Sequence, residues 1–150
     1  MAGDRVADRL FPPKDLLLAA WRGLPGTRTH PVLEAAAELA LLYQAHGDEP
    51  AAWGGMGGRR VRLVGEIDRW VTIAAPPPRE SARVHPESVG QALDQLAQLT
   101  VRAYVALADA PDAAYQDACA VAAGVAEGYQ DLIAEVADGR VQLPAPPPPS

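Results

Sequence analysis

Two long stretches of this chain repeat their apolar residues every three or four positions. The first runs Val89, Ala92, Leu93, Leu96, Leu99, Thr100, Ala103, Tyr104, Leu107. The second runs Ala114, Ala118, Val121, Ala122, Val125, Tyr129, Leu132, Ile133, Val136. That spacing is the helical period, whereas a half-buried strand alternates. Each stretch predicts an amphipathic helix with a face to bury, and the pair predicts helix-on-helix packing. Such faces specify a core and no reaction.

Local start and stop signals give the other helices. Residues 14–22 (KDLLLAAWR) predict a short helix opened by Pro13, closed by Gly23 and Pro25, with Leu17, Leu18 and Trp21 on one face. A second helix runs from Pro31 to about His46, with Glu34 near its positive end and Val32, Ala36, Leu39, Ala40 and Tyr43 on its apolar side. Gly47 ends it, and the Gly-rich stretch 47–58 predicts a flexible connection in which Trp53 is an anchor in preference to a lid. The third helix covers about 57–74, with the stripe Leu63, Ile67, Trp70, Val71 and Ala74. Ala75-Pro76-Pro77-Pro78 terminates it. His85-Pro86 repeats the His30-Pro31 helix entrance, so the fourth helix is expected over 86–109. Pro111 forces a turn into a fifth at 112–138, stopped by Gly139.

The expected architecture is an all-α, single-domain antiparallel helical bundle of four main helices plus a short N-terminal helix. A flexible arm, 1–13, precedes the bundle at 14–139, and a Pro-rich tail, 140–150, follows it. The 150 residues suit one domain. Ala-rich patches around 118–126 are expected to let helices approach closely.

Several function classes lose support on residue chemistry. Net charge is −6, which disfavours a broad phosphate-binding surface, and the Arg59, Arg60, Arg62 cluster reads as local salt bridging. The single cysteine, Cys119, permits no intrachain disulfide and sits at the margin of an apolar face, as an inert thiol would. A di-iron bundle needs Glu-x-x-His pairs; none occurs, and His30, His46 and His85 fall near helix ends. The 47–58 glycines lack the lysine and preceding strand of a phosphate loop. Ser81, Ser88 and Ser150 have no nucleophile-elbow context. Glu34, Glu38, Glu135 and Asp138 only loosely imitate the Mg²⁺ cluster of a helical nucleotide hydrolase. No cofactor, metal, nucleic-acid or membrane partner is expected, and the absence of a leader-like segment reads as cytoplasmic.

What remains is a candidate ligand cleft between helices, lined by Tyr43, His46, Arg60, Asp68, Trp70 and Tyr104. Arg60 lies at the edge of the third helix's stripe, where a snorkelling stem is the simpler reading and a cation facing a cleft the sharper one. His46 titrates near neutrality in its reference state. The same aromatics would also serve a homodimer interface.

The segments FPPKDLLLAAWRG, HPVLEAAAELALLYQAH, RRVRLVGEIDRWV and QALDQLAQLTVRAYVALAD, in this order, resemble an actinobacterial family of small all-helical proteins of unknown function, found in Streptomyces-like genomes. The strongest likeness is Glu66-Ile67-Asp68-Arg69-Trp70-Val71, where the family has an AIDRWV-like run. The HPxLxAAxELAxL pattern at 30–42 is the second anchor. The family often continues Leu-His-Glu where this chain has Leu42-Tyr43-Gln44. The resemblance implies a helical single domain and singles out Asp68, whose simplest role is to join neighbouring helices, through Arg60 or Arg102. The leading expectation is a non-catalytic helical protein that assembles with itself or another protein. The alternative is a small-molecule binder or enzyme of specialised metabolism using the aromatic cleft.

Overall fold

A computed structural model describes residues 11–21, 30–109 and 111–144. The described helices are α1 (Lys14–Trp21), α2 (Pro31–His46), α3 (Met56–Ala74), α4 (Val89–Asp109) and α5 (Asp112–Ala137), with a 3₁₀ turn at Pro50–Ala52. One short and four main helices make an all-α bundle, as the periodicity predicts.

Capping chemistry sets the helix ends. His30 Nδ1 accepts the Val32 amide, and Pro31 occupies the first turn, where a missing N–H costs nothing. The similar His85-Pro86 entrance does not start a helix. His85 Nδ1 accepts the Glu87 amide, but α4 begins only at Val89, because Ser88 and Gln91 form a reciprocal capping box. Ser88 Oγ accepts the Gln91 amide and Gln91 Oε1 accepts the Ser88 amide. At the far end of α5, Gly139 takes φ +70°. Its amide reaches Val136 O and that of Arg140 reaches Glu135 O, the paired bonds of a Schellman stop.

The chain then turns back. Arg83–Val84 (β1) and Val141–Gln142 (β2) pair in parallel, Arg83 opposite Val141, and Arg79 N donates to Gly139 O. Two-residue strands carry no readable alternation, so the pairing was invisible to periodicity. It also moves the boundary of the folded unit. Val141 is buried and Leu143 packs on the core, so 140–144 is not tail; residues 145–150 lie outside the described residues. The same correction applies at the start. Phe11 is fully buried, the Tyr129 hydroxyl donates to Pro12 O at 2.6 Å, and Lys14 N donates to Gln130 Oε1. Residues 11–13 are stitched onto α5, while 1–10 lie outside the described residues.

The core contains Leu17, Leu33, Leu39, Leu63, Ile67, Leu93 and Ile133. The Gly-rich connection folds onto it. Trp53 is buried against Tyr43, with ring centroids 4.9 Å apart, and its indole N–H donates to Gly47 O. Trp53 is thus an anchor, and α3 starts at Met56, three residues beyond it.

The long stripes are only half used. On α4, Val89, Ala92, Leu93, Leu96, Ala97 and Leu99 are buried; on α5, Ala126, Tyr129, Leu132, Ile133, Val136 and Ala137 are. Between Thr100 and Val125 no described residue is buried, although the apolar period continues. Length explains this. Helix α5 has 26 residues and α4 has 21, against 16 in α2 and 8 in α1. At 1.5 Å per residue, α5 is about 15 Å longer than α2. The α4–α5 hairpin overhangs the bundle. Within the Ala-rich stretch 118–126, Ala126 is buried, whereas Gly124 faces open space, since a Cβ there would meet nothing within 4 Å.

Candidate functional site

The six expected site residues do not meet in one place. Tyr43 on α2 and Arg60 on α3 meet through Asp94 on α4. The Tyr43 hydroxyl donates to Asp94 Oδ1 at 2.8 Å and Arg60 Nη1 to Oδ2 at 2.7 Å. Both carboxylate oxygens are thereby engaged, and burial, then Asp94, pushes the Tyr43 phenol well above its ordinary value. One carboxylate thus ties α2, α3 and α4 together. His46, at the end of α2, is exposed, with its ring 5.8 Å from Trp53. Asp94 was legible only as one of several polar residues on α4, because its importance depends on which way α4 faces.

Asp68 lies elsewhere, and its expected partners are corrected. Arg60 is taken by Asp94, and Arg102 pairs with Asp48 at 2.5 Å. Asp68 Oδ1 instead accepts the Gly90 amide at 2.7 Å, capping α4 from α3. Desolvation raises the Asp68 carboxyl above its ordinary value, opposed by the Gly90 and Ser88 hydrogen bonds and by Arg69. The approach is close enough to require glycine. A Cβ on residue 90 would stand 2.5 Å from Val64 O and 2.7 Å from Asp68 Oδ1.

Trp70 belongs to a third cluster, edge-on to Phe11 at 5.9 Å and to His30 at 4.4 Å. Tyr104 stands on the overhanging half of α4, about half exposed. Tyr43 and Tyr104 share a groove of about 1040 Å³ between α2 and α4 whose wall also includes Trp21, Val101, Arg102 and Val105. A second, smaller cleft of about 350 Å³ runs along the α4–α5 seam, over Ala103, Tyr104, Leu107, Tyr115, Cys119 and Ala122, with Leu18 at its base.

The acidic residues do not converge. Glu38 pairs with Arg59, Glu135 with Arg83 and Asp138 with Arg140, and Glu34 is exposed. Among the described residues no group of His, Cys, Asp or Glu is arranged to hold a metal ion, and no helix is long and apolar enough to cross a membrane. Cys119 is half-buried on the seam. No family model, curated protein or solved structure matches this chain.

Proposed function

We propose that this protein is a non-catalytic docking protein whose binding surface is the overhanging half of the α4–α5 hairpin. The observation that supports this reading is the apolar stripe that outruns its own core. Tyr104, Val105, Leu107 and Val121 each keep more than half of their surface exposed. Tyr104 and Leu107, three residues apart, lie side by side on one face of α4, and adjoining exposed apolar residues on a monomer often mark a functional patch. Isolated exposed apolar residues such as Ile73 carry no such meaning. Tyr104 and Leu107 instead continue the face that α4 buries at Leu93 and Leu96, so another helical surface is the matching partner. The clamp at Asp94 and the cap at Asp68 fix the pitch of α3 and α4 and hold the hairpin out from the bundle.

The test is a comparison of the chain with its Leu107→Glu variant, each used as tagged bait with a second, differently tagged copy and with lysate of the native host. Leu107 is too exposed for the substitution to unfold the chain. The reading expects a polypeptide retained by the first bait and lost by the second. Identical recovery with both baits overturns it.

The groove between α2 and α4 favours a second reading, a small amphipathic ligand held among Trp21, Tyr43, Tyr104 and Val105. Its volume of about 1040 Å³ is that of a ligand site. Thermal shift with a metabolite panel checks it. A shift abolished by Tyr104→Ala is expected, and none across the panel counts against it.

A further inference from the structure

We infer that the groove between α2 and α4 takes an uncharged, planar aromatic ligand with one hydrogen-bonding oxygen, its rings against Trp21 and Tyr104 and its oxygen on the Thr100 hydroxyl. The inference rests on the small-ligand reading of this groove and adds the chemistry of the ligand.

The shape of the groove follows from the helical period. Helix α4 lends it Thr100, Val101, Arg102, Tyr104, Val105 and Ala106. At 3.6 residues per turn, Val101 and Val105 share one line along the helix and form an apolar floor. Thr100 and Tyr104 stand on one flank of that line, Arg102 and Ala106 on the other. The first flank turns toward α5, since Thr100 and Tyr104 also line the α4–α5 cleft. The second turns toward α2, since Arg102 pairs with Asp48 just beyond its end.

Charge narrows the ligand class. Among the described residues that line the groove, Asp48 and Arg102 alone are charged at neutral pH, and they are paired with each other at 2.5 Å. A closed pair leaves no net charge to hold a carboxylate or an ammonium, which would give up hydration without compensation on entering. An uncharged ligand meets no such penalty.

The walls favour a flat ring. The Trp21 indole N–H is committed to Ala36 O and the Tyr43 hydroxyl to Asp94, so these two side chains offer ring surface and no spare polar atom. Tyr104 is half exposed and stands over the floor. Aromatic rings pack against such surfaces by offset or edge-on contact, which adds to the area they bury. A groove of about 1040 Å³ holds a fused ring system.

The oxygen is assigned by an orphan. Thr100 Oγ1 is buried and has no hydrogen-bond partner among the described residues, a costly state for a hydroxyl. A helical threonine has two good χ1 rotamers, and exchange of its hydroxyl with its methyl turns the hydroxyl into the groove. A hydroxyl both donates and accepts, so a phenol or a ketone satisfies it equally.

Equilibrium dialysis of the full chain with 2-naphthol, 2-methylnaphthalene and 2-naphthoate tests this. The uncharged 2-naphthol is expected to bind at least about tenfold more tightly than 2-naphthoate. Thr100→Val keeps the side-chain volume and removes the orphan, so the unliganded variant should melt no lower than the unsubstituted chain. It should weaken 2-naphthol about fivefold and leave 2-methylnaphthalene unchanged. Tyr104→Ala should weaken both uncharged probes. Equal affinity for 2-naphthoate and 2-naphthol overturns the uncharged class, and a 2-naphthol affinity indifferent to Thr100→Val overturns the assigned oxygen, while the groove remains a ligand site in both cases. No binding of any probe, or binding indifferent to Tyr104→Ala, overturns the groove reading and the inference together.

Discussion

Replacing Gly90 with alanine probes the contact that sets α3 against α4. In most helices this exchange helps, by up to about 1 kcal/mol, because alanine has less unfolded-state entropy to lose. Here the new methyl would stand 2.5 Å from Val64 O, 2.7 Å from Asp68 Oδ1 and 3.0 Å from Val64 Cγ1. The nearest of these is backbone of another helix, so relief requires α4 to move off α3. Overpacking of this kind costs about 1–3 kcal/mol. The shift also breaks the 2.7 Å bond from the Gly90 amide to Asp68, a cap worth about 1 kcal/mol. The net expectation is a loss of about 2–4 kcal/mol, or roughly 6–12 °C in Tm for a chain of this length. Far-UV circular dichroism melts, with urea midpoints at constant slope, measure it. Gly124→Ala is the matched control. It is also helical, but its Cβ would meet nothing within 4 Å, so its Tm should rise slightly. A Gly90→Ala variant that melts with the unsubstituted chain, or above it, refutes the close approach.

Three further perturbations follow. The Asp68 carboxyl is raised from its ordinary 3.8 chiefly by desolvation, so the folded chain binds that proton more tightly than the unfolded one. Its contribution to stability is full below pH 3.8 and declines as pH rises through the raised value. Asp68→Asn, which keeps an acceptor for Gly90, should therefore be at least as stable as the unsubstituted chain at pH 7, whereas Asp68→Ala should lose about 1–2 kcal/mol; urea titrations at pH 3.5 and 7 separate the two. Asp94→Ala strands Arg60 and the Tyr43 hydroxyl and should cost about 3 kcal/mol, against about 1 for Tyr43→Phe, which leaves the ion pair intact. Trp53→Ala should cost about 3–5 kcal/mol in the same urea assay. A cost near zero would mean that the 47–58 connection is not held by its tryptophan.

Much of this fold is written in local chemistry. The apolar period places α4 and α5, proline and glycine bound α2 and α3, and Gly139 ends α5 as expected. Two ends were legible in principle through other signals. Ser88-x-x-Gln91 is a capping box that overrides His85-Pro86, and Phe11 is a large apolar residue in a segment with few others. What periodicity cannot carry is azimuth and relative length. Asp94 and Asp68 lie on helices read correctly, yet their partners depend on how α3 and α4 are rotated toward each other. Trp70 and Tyr43 occupy similar stripes, but one faces Phe11 and His30 and the other Trp53. Most consequentially, Leu93 and Leu107 belong to one unbroken stripe, although one is fully buried and the other 60% exposed. The difference arises because the shorter α1 and α2 stop before α4 and α5 do.

That overhang is the centre of the functional account, and hydrogen–deuterium exchange of the chain alone and with the polypeptide its bait retains tests it most directly. Amides of the α4 and α5 overhangs, residues 100–125, should gain protection when that polypeptide is bound, while those of α2 and α3 stay unchanged. The gain should vanish in Leu107→Glu. Protection of 100–125 that binding leaves unchanged, or a gain confined to another face of the bundle, would contradict the account.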